Sequence, residues 1–114
     1  MSFLLRAAAV AALLACTSAQ AADTITGRWA ADAASCEDGF FAPSPLVVTG
    51  HAVRWQGDSC RIGRMYKAGE TTYIQALCWS LAGERSIPVS LRPHGGKLAV
   101  SWDRAPRGEF QRCQ

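Results

Sequence analysis

Cys60-Arg61-Ile62-Gly63-Arg64-Met65-Tyr66-Lys67-Ala68-Gly69-Glu70-Thr71-Thr72-Tyr73-Ile74-Gln75-Ala76-Leu77-Cys78 reads as two β-strands folded about one turn. Successive side chains on a strand point to opposite faces. Cys60 and Ile62 therefore share a face of the first strand, and Ile74, Ala76 and Cys78 share a face of the second. A turn centred on Gly69 opposes Cys60 to Cys78 and Ile62 to Ala76, apolar side to apolar side. A register one residue away turns the apolar set of one strand to the other face and destroys both matches.

The same punctuation runs through the chain on either side. Strands are expected at 24–30, 46–49, 52–56, 60–67, 71–79, 85–92, 97–102 and 109–113, separated by turn signals such as Gly50-His51, Gly57-Asp58 and Gly95-Gly96. Asp32 is placed to cap a single turn leading into Cys36. No stretch after residue 21 holds a 3.6-residue apolar period over the ten or so residues a helix needs. The expectation is an all-β domain, a small disulfide-stabilised antiparallel up-and-down β-barrel of about eight strands, since closure removes exposed sheet edges. A two-sheet sandwich is the alternative.

Residues 1–21 read as a signal peptide. Arg6 supplies a positive start, 7–15 (AAAVAALLA) an apolar run, and Ala19-Gln20-Ala21 a small-residue cleavage site. The run falls short of the roughly 20 residues that span a bilayer. Leu13-Leu14-Ala15-Cys16 also resembles the lipobox of bacterial lipoproteins, which implies a lipid anchor on Cys16 as the lesser alternative. The expected location is periplasmic or secreted, with residues 22–114 as one domain.

Four cysteines lie in that domain: Cys36, Cys60, Cys78 and Cys113. In a short exported chain an even set reads as disulfides. The hairpin register suggests Cys60–Cys78, which leaves Cys36–Cys113. Cys36–Cys60 with Cys78–Cys113 is the rival, because Cys36 and Cys60 fall at the same end of an up-and-down barrel. Nothing in the sequence favours the third pairing, and spacing alone does not choose between the first two.

The chemistry-bearing residues are sparse. No short-spaced Cys/His cluster suggests a metal site, and no cofactor motif is present. His51 and His94 sit beside glycines in expected turns, and neither accompanies a nucleophile in a known arrangement. The chain is not expected to be an enzyme. Removing Arg6 with the leader lowers the formal charge from +3 to +2, no footprint of a nucleic-acid binder. Arg61, Arg64 and Lys67 lie close together. On an unbroken strand Arg61 and Lys67 would share a face and Arg64 would not. The four tryptophans, Trp29, Trp55, Trp79 and Trp102, suggest a filled interior. Phe40, Phe41 and Pro43 lie on the loop 37–45, where proline-stiffened aromatics suit contact with a partner.

Gly27-Arg28-Trp29 on the first strand resembles the G-x-W signature of the calycin group, which includes lipocalins, avidins and small bacterial periplasmic metalloprotease inhibitors. The resemblance covers the first 40 or so residues of the mature chain. It implies a barrel with one end closed by Trp29 under a basic residue from near the C-terminus, here Arg112. The inhibitors also carry a cysteine after G-x-W and a second some two dozen residues on, which on this chain implies a Cys36–Cys60 bond. They act through an N-terminal arm, whereas cleavage after Ala21 leaves only 22–26 ahead of Gly27. The expected function is a small exported binding protein, an inhibitor of a secreted or envelope hydrolase with a protein partner. The alternatives are a carrier or sensor of a small apolar ligand, and a structural or stress protein of the envelope.

Overall fold

The computed structural model describes residues 25–37 and 44–114. The leader at 1–21 with Cys16, and the loop residues Phe40, Phe41 and Pro43, lie outside the described residues. The expected strands are all present: β1 (Gly27–Ala30), β2 (Leu46–Val48), β3 (Ala52–Trp55), β4 (Asp58–Ala68), β5 (Thr71–Ser80), β6 (Gly83–His94), β7 (Lys97–Trp102) and β8 (Ala105–Arg112). Each pairs antiparallel with the next and β8 returns to β1, so the sheet is a closed up-and-down barrel. Between β1 and β2 stands one 3-10 turn, Ala33–Cys36, with Asp32 at its N-cap.

Alternation decides what lies inside. On β5, Thr72, Ile74, Ala76 and Cys78 are buried, while Tyr73, Gln75 and Trp79 face out. Leu98, Val100 and Trp102 do the same on β7, and Ile87, Val89 and Leu91 on β6. Inside the barrel Trp55 meets Trp102 edge-on at 5.3 Å and Phe110 at 6.1 Å. The interior is thus packed with side chains. Trp79 departs from the expectation of four interior tryptophans. It is 61% exposed because it follows the buried Cys78 and so points outward.

The 60–78 hairpin has the expected pairs, Cys60 opposite Cys78 and Ile62 opposite Ala76, but not the expected turn. The turn is the two residues Gly69-Glu70, because Ala68 pairs with Thr71. Carried back unbroken, that register would set Trp79 against Cys60. A bulge between Ile62 and Arg64 absorbs one residue at Gly63 and restores the cysteine match. Gly63 suits this place because a Cβ there would lie 3.1 Å from Leu77 Cδ1 and 3.2 Å from the Gln75 carbonyl oxygen.

The disulfides are Cys60–Cys78 and Cys36–Cys113. This corrects the Cys36–Cys60 pairing that the inhibitor-like spacing implied. Cys60 faces inward on β4 against Cys78, whereas the 3-10 turn carries Cys36 to the chain's end. Each bond reduces the freedom of the unfolded chain. With separations of 18 and 77 residues, loop closure is worth about 3 and about 4.5 kcal/mol respectively.

Two outcomes follow. Replacing Cys36 and Cys113 together by serine should lower unfolding free energy by roughly 2–4 kcal/mol in urea titration. Deleting Gly63 should remove the bulge and leave a regular ladder with Cys60 still opposite Cys78, so that peptide mapping still finds the Cys60–Cys78 bond.

Candidate functional site

The end of the barrel nearest β1 is closed by a built cluster. Trp29 is buried and its indole Nε1 donates to the Ile25 carbonyl at 3.0 Å. The Arg112 guanidinium lies over the Trp29 ring, 4.2 Å from its centre, and Arg112 Nη1 donates to the Thr26 carbonyl at 2.8 Å. Gly27 has φ +141°, and a Cβ there would come within 2.5 Å of Arg112 Nη1. The glycine of G-x-W is therefore the space the guanidinium occupies, and the tryptophan is the surface it rests on. Gly27, Trp29 and Arg112, singled out as structural residues of the barrel end, are brought together.

The opposite end carries a second cation on a tryptophan that the sequence did not reveal. Arg107 sits 5.4 Å from the Trp55 ring centre and donates to the Trp102 carbonyl at 3.1 Å. Strict alternation hides this pair. The β7–β8 register shifts between Val100 and Ser101, skipping Arg107, and Gly108 takes φ +96° beside it. Gly108 is the one signal of that bulge in the sequence.

The remaining candidates are dispersed. His51 and His94 are exposed and lie at turns. Among the described residues no group of three or more His, Cys, Asp or Glu could hold a metal ion. Asp32 is held below the usual carboxylate range by the Ser35 backbone N–H and then the Ser35 hydroxyl, which is the work of a cap. Arg28 Nη2 reaches the Cys36 carbonyl at 2.7 Å, tying the 3-10 turn to the outside of β1.

The richest surface lies on the outside of β4–β6. The Gly63 bulge changes the phase of β4, so Arg61 opposes Leu77, Arg64 opposes Gln75, and Lys67 opposes Thr72. Arg61 and Arg64 therefore share the outer face and Lys67 takes the inner one, reversing the grouping expected of an unbroken strand. Next to Arg64, Tyr66 stacks on Tyr73 with ring centres 5.3 Å apart. A shallow cavity of about 460 Å³ beside this pair is bordered by Arg64, Gln75, Ser86 and Arg104. Arg104 adopts φ +71° in the two-residue turn after β7, a left-handed conformation that disfavours a side chain. Apolar groups stay exposed around it, Tyr66 58% and Tyr73 39%, while Met65, 47% exposed, lies on the other face of β4 opposite Ile74.

Comparison of the chain with models of known protein families, with curated proteins and with solved structures found no match.

Gly27→Ala should cost about 1–3 kcal/mol, because it both strains a positive φ and displaces Arg112 from Trp29. If the stack is the reason, Arg112→Ala combined with Gly27→Ala should cost clearly less than the sum of the two single changes in chemical unfolding.

Proposed function

We propose that the protein is a small exported binding protein that acts through its outer surface and inhibits a secreted or envelope hydrolase. The observation that carries this reading is the filled barrel. Trp55, Trp102 and Phe110 meet inside it, and the inward residues form one contiguous buried cluster. A carrier of a small apolar ligand needs an empty interior, so the packing weighs against that alternative. Recognition is left to the surface, where tyrosine and arginine are the side chains that most often dominate binding energy.

The two disulfides suit an oxidising compartment. Together with the leader-like 1–21 they support a periplasmic or secreted location, with Cys16 lipidation as the lesser alternative. The reading includes no enzymatic activity and no cofactor. The likeness of Gly27-Arg28-Trp29 to the metalloprotease-inhibitor barrels supports a protease as the hydrolase, and Phe40, Phe41 and Pro43 remain the proposed plug.

The test assays residues 22–114, oxidised, against a panel of secreted metalloproteases, serine proteases and lysozymes. Phe40→Ala with Phe41→Ala should weaken inhibition of the target about tenfold or more, a loss of ~1.4 kcal/mol of binding, while Tm moves by only a few degrees. No inhibition across the panel would remove the inhibitor reading. A lipid retained by the native protein in mass spectrometry would restore the carrier.

A further inference from the structure

Barrel closure does not extend along the whole of β4. β3 pairs with β4 only as far as Arg61, and the last contact on that side is the Ile62 N–H donating to the His51 carbonyl at 2.8 Å. Beyond the Gly63 bulge, residues 64–68 pair with β5 and with nothing else among the described residues. Five residues of strand, about 16 Å long, thus present an open edge of backbone donors and acceptors.

We infer that this edge of β4 is a docking strand for an extended acidic segment of a protein partner, which adds to the sheet by backbone pairing. The inference rests on the reading that the protein works by binding, and it names the chemistry of what is bound.

Charge selects the occupant. Arg61, Arg64 and Lys67 fall within 61–68, and the stretch holds no carboxylate. A second copy of the chain laid antiparallel on this edge would crowd the three cations of each copy into one strip with nothing to neutralise them. A cationic edge is a familiar guard against such self-pairing. An acidic strand meets the opposite situation. Arg64 points to the outer face and Lys67 to the inner one, as their partners Gln75 and Thr72 do. Carboxylates three residues apart on an added strand would face both, one on each side of the sheet. Between them Met65 and Tyr66, 47% and 58% exposed, offer apolar contact on the two faces. Tyr66 is held upright by its stack on Tyr73, and the cavity beside the pair, bordered by Arg64 and Arg104, can take a side chain of the bound segment. Backbone pairing supplies affinity, and the alternating contacts supply selectivity.

The experiment uses oxidised protein, residues 22–114, and three capped synthetic peptides. These are TVEVTETV, the same peptide with both glutamates changed to lysine, and the glutamate peptide with its central valine changed to proline. The acidic peptide should bind, and amide exchange should slow in 64–68 more than anywhere else. The lysine and proline peptides should bind at least about tenfold more weakly, since one removes the charge match and the other a backbone donor. Arg64→Glu with Lys67→Glu, both exposed, should reverse the preference between the acidic and lysine peptides while the circular dichroism spectrum is unchanged. Equal binding of all three peptides, protection elsewhere than 64–68, or a dimer protected at 64–68 without peptide would overturn the assignment. Loss of peptide binding with hydrolase inhibition intact would remove this edge and leave the proposed function standing. Peptide binding that survives where no hydrolase is inhibited would support the edge and count against the inhibitor reading alone.

Discussion

A barrel exists only where its first and last strands meet, and here that seam is short. β1 and β8 share two register pairs, Trp29 with Arg112 and Ala30 with Gln111. One further bond, from the Cys113 N–H to the Arg28 carbonyl, extends it. Everything around the seam reinforces it. The Cys36–Cys113 disulfide joins the segment after β1 to the residue after β8, Arg28 holds the turn that carries Cys36, and Arg112 rests on Trp29 across the same two strands. A domain of this size has only several kcal/mol of net stability, so a bond that closes a 77-residue loop is a large share of it. Without the seam the eight strands would be an open sheet with two exposed edges.

The sequence showed this architecture where the physics is local and alternating. Turn residues located the strands to within a few positions, and the faces of β5 and β7 followed from parity alone. It failed where one residue is added without a period to announce it. Gly63 and Arg107 each stand in a bulge, and each shifts every side chain beyond it to the other face. The Cys60–Cys78 match was legible because an error of one residue in placing the turn compensates the bulge at Gly63. The grouping of Arg61, Arg64 and Lys67 had no such compensation and came out reversed. Phe40, Phe41 and Pro43 were legible as a candidate surface only, since nothing in the described residues bears on them.

The G-x-W motif gains a physical content here that is independent of ancestry. Gly27 is required by the close approach of Arg112, and Trp29 by the need for a broad apolar cap that can also accept a cation on its face. Any small barrel closed at one end by a tryptophan and a C-terminal arginine would meet the same two demands. The motif therefore speaks to how the barrel ends. Arg107 on Trp55 solves the same problem at the other end with no glycine-spaced signature, because the bulge delivers the cation from a different direction. The Cys36–Cys60 spacing that accompanied the resemblance does not correspond to a bond, since closure claims Cys36 for the seam and the hairpin claims Cys60.

Strand length is what closure leaves unexplained. Strands of three or four residues suffice on β1 to β3, yet β4, β5 and β6 run to 11, 10 and 12. The additional length on β4 packs no core, because from Gly63 onward every residue of that strand is exposed. Stability alone would favour trimming it, as an exposed strand edge with an apolar Met65 and an aromatic Tyr66 adds solvent-facing backbone and a risk of association. The three cations along 61–68 reduce that risk toward like chains, while Tyr66 and Tyr73 stay stacked in the open. A short, doubly cross-linked barrel thus supports a sheet longer than its own interior needs, and the excess is concentrated where aromatic and cationic groups coincide with backbone groups that have no partner among the described residues.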